Sequence, residues 1–495
     1  MPIRSATIHG ELASVIRVLS KIRDLVGPGR VDEFATGTNG VERSRPNVGM
    51  YRTRRSFGVI RPATVDQVCR IVEYFDDPDL PIGLHIVSTG RNWGLGSAEP
   101  ARDRTVTLDL SDLDEIRRLD IDAGFAIVEP GVTQGRLAAS LAGTDRMLNV
   151  TASSAHTSII GNGLDRGVGL RQQRVDDLLG LEVVLPDGQL VHVGWWPEEG
   201  RRTPLYPYGL GPSLLQLFVQ SDLGVVSAAA VRLLHRPKAQ RVIRLGFAPR
   251  NLISAVGALR RWVAQGLVGG VLKIYDTVSA ASYGGSAGGF LAHLCIDGTE
   301  RSVAAISSLI LEEAVSSGLF TDATPAGREA GGDAVVAMVE GAYSGDPSYN
   351  DGMLEATLGQ PAARVDEHGL GWLFFLPLVP FSGEDIARAH GLLAQVHEET
   401  GVRAGCTVNA LNADVIDFVV TVKFAREERA AERAHRALDR AYELFSATGF
   451  MPYRLDIDHA DWVDRLSPDP GARELVRRLK KTLDPNGAIA RGRYS

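Results

Sequence analysis

Ile82-Gly-Leu-His-Ile-Val-Ser88-Thr89-Gly90-Arg91-Asn92-Trp93-Gly94-Leu95-Gly96 runs a strand directly into a glycine-rich loop. Ile82, Leu84 and Ile86 alternate with Gly83, His85 and Val87, the period-two pattern of a half-buried strand. The loop holds three glycines and the small hydroxyl residues Ser88 and Thr89, so its N–H groups can converge on a diphosphate without side-chain obstruction. A glycine loop can equally do no more than turn the chain. Before the strand, Thr64-Val-Asp-Gln67 has capping-box spacing, and Val65, Val68, Ile71, Val72 and Phe75 share one helical face. After the loop, Val106, Leu108 and Leu110 alternate as a further strand. Thr133 is placed to cap a helix carrying Leu137 and Leu141. Leu181 to Leu185, then Pro186-Asp-Gly188, then Gln189 to Val193, reads as a hairpin. From Arg61 to about Pro237 the pattern is one α+β domain.

A second informative stretch lies inside that domain. Ala152 to Gly169 is small, hydroxyl-bearing and glycine-rich, with hardly any core-forming bulk. A segment so poor in packing volume lies against something else, and a flat ligand would serve. Beyond Ala239 the composition changes. Helical stretches near Leu252–Ala264, Val303–Ser316, Glu384–Glu399 and Ala425–Ala447 accompany strand-like runs at Leu373–Leu378 and Val415–Val422, and predict a second domain to about Phe450. Ser279 to Gly289 reads as a surface loop within it. A last helix is expected over Asp469–Leu483, with Leu475, Leu479 and Leu483 on one face.

Composition narrows the function. The 495 residues are 44% apolar and 23% charged, with 53 Lys+Arg against 60 Asp+Glu and a net charge of −7. No basic run could track phosphates, so nucleic acid is not an expected partner. No apolar run approaches the roughly 18–20 residues of a membrane span, and no signal peptide is apparent, so a soluble, cytoplasmic protein is expected. Glycine makes up 54 residues, above the usual share of about 7%. Cys69, Cys295 and Cys406 form no metal or disulfide pattern and are expected reduced and buried. Histidines fall at no metal-ligand spacing, and His390 and His397 are expected to face solvent or cap. GxGxxG, Walker and HExxH patterns are missing, and Gly284-Gly-Ser-Ala-Gly288 lacks the strand of a nucleophile elbow. No metal is expected.

Seven motifs then come together: Ser88-Thr-Gly-Arg-Asn-x-Gly-x-Gly-Ser-Ala, Val128-Glu-Pro-Gly-Val-Thr, Ile160-Gly-Asn-x-Leu-Asp-Arg-Gly-Val-Gly, Leu181-Glu-Val-Val-Leu-x-Asp-Gly, Tyr208-Gly-Leu-Gly-Pro-Ser-Leu, Gln220-Ser-Asp-Leu-Gly-Val and Leu483-Asp-Pro-Asn-Gly-x-Ile-Ala. In this order they resemble the flavoprotein family of vanillyl-alcohol oxidase and p-cresol methylhydroxylase. The resemblance implies an α+β fold with a PCMH-type two-subdomain FAD-binding domain over 1–238 (core 51–238), an inserted α+β cap over 239–450, and a C-terminal segment, 451–495, that returns to the first domain. It implies FAD, a small-molecule substrate, dioxygen or another electron acceptor, and a homodimer as a common assembly.

Carried over by residue, the resemblance makes Ser88, Thr89, Gly90, Arg91 and Asn92, with Gly96, the pyrophosphate loop. Ser153, Ser154, Ser158, Ile159, Gly161, Asn162, Asp165, Arg166 and Gly167 run beside the flavin, Gly224 and Val225 meet the adenine, and Arg493 supplies a basic group. Tyr453 and Arg454 match a pair that holds a phenolate; a salt bridge to Asp456 or Asp458 is the structural alternative for Arg454. The pattern departs at Leu95, where the family has a third phenolate-binding tyrosine, and at Ser153, where the oxidase has an acidic residue. Flavin attachment positions correspond to Trp372, Asn92 and Ser154, none of which forms the bond, so non-covalent FAD is expected, with Trp372 near the ring or substrate. His156 is a residual candidate for attachment or catalysis, or a loop histidine bonding backbone. The implied reaction is hydride transfer from a phenol-like or carboxylate-bearing metabolite to flavin N5. Alternatives are oxidative decarboxylation or desaturation of a natural-product acid in secondary metabolism, and a flavin-binding protein without turnover.

Overall fold

The computed structural model describes residues 15–34, 47–80, 82–91, 93–198, 200–326, 334–490 and 492–494. The glycine loop sits on a four-stranded sheet in the order Val31–Glu33, Ser56–Ile60, Thr105–Asp109, Gly83–Val87. The last three strands run parallel. The Val65–Phe75 helix buries Val68, Ile71, Val72 and Phe75; Thr64 Oγ1 accepts from Gln67 N, and Gln67 reaches back to Ala63 N. Half-burial of the Gly83–Val87 strand does not hold, because His85 is as buried as Leu84. Parallel strands are covered on both faces. Here the chain after the loop covers the second face, with His85 Nε2 3.1 Å from Ala98 O.

The end of the chain completes this sheet. Leu84 N donates to Ala488 O, and Ala490 N donates to Leu84 O, both at 2.8 Å. Asp484, 2% exposed, accepts from Ala488 N and Ile489 N and so shapes that turn. The Pro470–Leu483 helix before it does not bury the expected leucine stripe: Leu475 is 50% exposed, and Arg473 is the residue it buries. Arg473 bonds Asp464 and Tyr494 O, so polar contacts tie down the segment.

A second, antiparallel sheet follows the order Ile116–Asp120, Phe125–Val128, Val225–Arg232, Leu178–Val184, Leu190–Gly194. The expected hairpin is its last pair, with Gly188 at φ 81° in the turn. A third, eight-stranded antiparallel sheet spans Ala239–Phe247 to Val415–Phe424. Helices Leu252–Ala264, Glu300–Ser317, Gly383–Thr400 and Glu428–Thr448 bury their apolar stripes in its main core. Val242 and Cys295 instead join the core of the second sheet.

Three further expectations change, the first only in part. Ser279–Gly289 is a surface loop at Ala281, Ser282 and Ser286 to Gly288, but Ala280 is buried and Tyr283 stacks on Tyr275 with ring centroids 3.9 Å apart, which pins one part of it. His390 packs edge-on between Phe290 and Phe418. The three thiols are free, with Cys69 only half-buried. Among the described residues no group of side chains could hold a metal, and no helix is long and apolar enough to cross a membrane.

Candidate active site

Two side-chain-poor segments, one after the Gly83–Val87 strand and one around Ser158, meet at a cleft. The chain leaves the Gly83–Val87 strand and turns at Gly90, whose φ of 66° suits a residue without Cβ. Thr89 Oγ1 accepts from Ser158 N at 3.2 Å. Ser158 caps the short Ile159–Leu164 helix by accepting from Gly161 N, and donates to Pro130 O at 2.6 Å. A Cβ on Gly161 would stand 2.5 Å from Ser88 Oγ. Glycine there lets the segments touch, and their backbones form one wall of a cleft of about 210 Å³.

Ser88, Thr89, Gly90, Arg91, Ser158 and Gly161 line this wall, with Ser153 and Asn162 beside them. Gly224 and Val225 line the opposite side. At one end Arg454 Nη2 donates to Asp165 at 2.9 Å, Tyr494 Oη donates to its other oxygen at 2.9 Å, and Arg493 stands 3.9 Å away. Burial pushes the Asp165 carboxyl up, but Arg454 and Arg493 outweigh it and hold it below the usual range. Burial, then the Arg493 charge, drives the His85 imidazole down to about 3, so it lines the cleft neutral. Asn162 Oδ1 and Arg454 Nε are buried without partners.

The other candidates fall outside this lining. Gly96 packs on Tyr51 and Ile457, and Gly167 leaves room for the Asn162 amide, which a Cβ would overlap. Ser154 and Ile159 are fully buried, and Arg166 and His156 are exposed. His156 lines neither cavity; its N–H donates to Ser154 Oγ. Asn92 lies outside the described residues. Tyr453 Oη reaches Asp417 at 3.4 Å, and Arg454 pairs with Asp165, not with Asp456 or Asp458.

Ser153 belongs to a second cavity as well, of about 220 Å³, under the third sheet. Tyr275, Tyr283 and Trp372 give it aromatic walls, and Ser279, Thr407 and Thr421 give hydroxyls. Among the described residues its charged groups are Lys273, Arg403 and Lys423, with no carboxylate. Burial lowers the Lys273 ammonium to about 8, an effect Asp417 partly offsets. Sequence reasoning missed these three cations, together with His85 and Tyr494. Lys273 had a usable signal: it is the single charge in the run Val271-Leu-Lys-Ile-Tyr275.

The comparisons agree with this geometry. A family profile described as FAD binding domain matches residues 57–194. The chain is 25% identical to 1'-carboxy-chondrochloren decarboxylase of Chondromyces crocatus over 97% of both chains. It is 24% identical to the 4-cresol dehydrogenase [hydroxylating] flavoprotein subunit of Pseudomonas putida, over 88% of this chain and 87% of that one. It superposes on p-cresol methylhydroxylase with substrate bound at a TM-score of 0.85 and 22% identity, over 98% of this chain and 97% of the other. Fold and cleft define an FAD-dependent oxidoreductase. Residues 57–194 carry the FAD binding domain, and the chain as a whole has the fold of p-cresol methylhydroxylase.

Proposed function

We propose that this enzyme oxidises a small organic acid bearing an aromatic group, and that the reaction ends in loss of the carboxyl group. The observation that carries this reading is the second cavity: aromatic walls, three cations and, among the described residues, no acidic side chain, next to Ser153 of the cofactor cleft. Such a lining favours an anionic, partly aromatic ligand over a cationic or purely apolar one. The relative that aligns over 97% of both chains is named as a decarboxylase, which supports the second half of the reading.

The cleft fits FAD. Its wall is backbone from two segments that a Cβ at Gly161 would push apart, and Arg454 and Arg493 bring positive charge to the lining. Ser88 to Arg91, Ser158 and Gly161 would hold the diphosphate, Gly224 and Val225 the adenine end, and Ser153 the border with the substrate. FAD, when bound non-covalently in this cleft, supplies the two-electron acceptor, and dioxygen or another oxidant restores it. The chain's own part is to hold the acid with the carbon to be oxidised toward Ser153. The carbon adjacent to the carboxyl-bearing one loses a hydride, the electrons of the C–COO⁻ bond form the alkene, and carbon dioxide departs. Ser153 Oγ is 2.7 Å from Thr157 Oγ1, and neither is an acid or base near neutral pH, so the site orients rather than titrates there. Residues 239–450 act as the cap that carries the substrate's binding groups.

A second reading, oxidation of a para-alkylphenol, is favoured by the likeness to the 4-cresol dehydrogenase flavoprotein subunit. Anaerobic mixing of the yellow enzyme with aryl-alkanoic acids and with para-alkylphenols separates the two. Bleaching with carbon dioxide release from the acids supports the proposal. Bleaching by phenols alone, without carbon dioxide, refutes it.

A further inference from the structure

One row of polar residues crosses the third sheet. Arg244 lies opposite His293, His293 opposite Lys273, Lys273 opposite Asn409, and Asn409 opposite Asp417. Residues directly opposite in a sheet project from the same face. Their sequence neighbours Ile243, Leu294, Ile274, Val408 and Phe418 fill the helix-side core, so the row projects to the other face, where the second cavity lies. His293 and Asp417 are 1% exposed, Asn409 6% and Lys273 8%.

Buried polar atoms are nearly always paired. Here both His293 ring nitrogens, Asn409 Oδ1 and Asp417 Oδ1 have no partner. Among the described residues no carboxylate lies within ion-pair distance of Lys273; Asp417 acts on its ammonium through space, and Asn409 Nδ2 is turned to Asp417 at 3.3 Å. Of the row, Lys273 alone lines the cavity. A buried ammonium without a counter-ion is costly unless a ligand supplies one. Arg403 and Lys423 also line the cavity but are exposed, where charge is largely screened.

We infer that Lys273 is the residue that takes the substrate's carboxylate, with Asn409 and Asp417 as positioning residues on one side of it and His293 on the other. This inference rests on the acid-substrate reading and assigns its anchor. It moves the anion site away from Arg454, whose guanidinium is already committed to Asp165 in the other cavity. Tyr275, two residues on in the same strand, lines the same cavity, which suits an aryl acid whose ring stacks there while its carboxylate meets Nζ.

Benzoate and its uncharged isostere benzamide are suitable probes, titrated into FAD-loaded protein and followed by calorimetry and by perturbation of flavin absorbance. Wild type is expected to prefer benzoate by about tenfold to a hundredfold, the worth of a buried charge-assisted hydrogen bond. Lys273→Met should abolish the preference while leaving FAD content and benzamide affinity unchanged. Removing an unpaired buried charge should not harm folding, and Lys273→Arg should restore part of the preference. Arg403→Met and Lys423→Met should retain most of it. If Lys273→Met still prefers benzoate as wild type does, the anchor assignment is wrong while the acid-substrate reading stands. If flavin-loaded wild type binds benzoate no better than benzamide, or binds neither, both readings fall.

Discussion

Arg454→Met asks whether this guanidinium serves the cofactor cleft or a substrate phenolate. In the folded chain Arg454 donates to Asp165 at 2.9 Å, with side chains 10% and 17% exposed. Breaking a buried pair from one side costs about 3–5 kcal/mol. Tyr494 still bonds Asp165 and Arg493 remains 3.9 Å away, so the lower end, about 3 kcal/mol, is the expected loss in the apo protein. If Arg454 also faces the cofactor, one charge-assisted hydrogen bond disappears, weakening FAD by roughly 10- to 150-fold. The assay is titration of deflavinated protein with FAD by fluorescence, beside KM measured at saturating FAD. Arg454→Lys should recover little, because a point charge does not replace the planar fork. With Arg454 gone, Asp165 loses its first compensating charge and its carboxyl should titrate higher than in the wild type. Unchanged FAD affinity with a raised KM for a phenol would refute the placement of Arg454 in the cofactor cleft.

Further predictions concern the pieces that hold the site together. His459 sits between Asp456 at 2.9 Å and Asp439 at 3.2 Å; burial pulls its pKa down, but the carboxylates outweigh it and raise it from 6.5 to about 9. Its contribution of about 2–3 kcal/mol is therefore full below pH 6.5 and lost as pH rises through about 9, and His459→Gln should flatten the fall of Tm with pH over that window. A Cβ on Gly94 would overlap the Phe374 ring, which packs on Trp372 at 4.4 Å. Gly94→Ala should cost about 1–3 kcal/mol in thermal or denaturant unfolding and weaken benzoate binding through the displaced cavity wall. Acid precipitation should leave a colourless pellet and yellow supernatant; colour retained in the pellet would overturn non-covalent FAD.

Local chemistry decided which parts of this molecule could be read in advance. Thr64, Thr133 and Gly188 act over a few residues, and each does in the structure what its spacing predicts. The glycine loop and the Ala152–Gly169 segment were visible because they lack bulk. What sequence could not show depends on distant packing. His85 looked outward until Ala98 and the C-terminal segment covered it, and Leu475 looked inward although its helix is fixed through Arg473. The substrate-side cations come from three separate strand or loop positions, Lys273, Arg403 and Lys423, and only sheet registration brings them to one cavity. Tyr453 and Arg454 are adjacent in sequence yet reach different carboxylates, Asp417 and Asp165, because the chain bends where they sit.

The bridge that Ile489 makes along Leu84, with Arg493 and Tyr494 beyond it, joins two parts of the chain that are far apart in sequence into one border of the cleft. Contacts of such separation carry the loop-closure cost before they repay it. The Gly83–Val87 edge therefore stays open until this late segment docks, and completion of the cleft falls among the last events of folding.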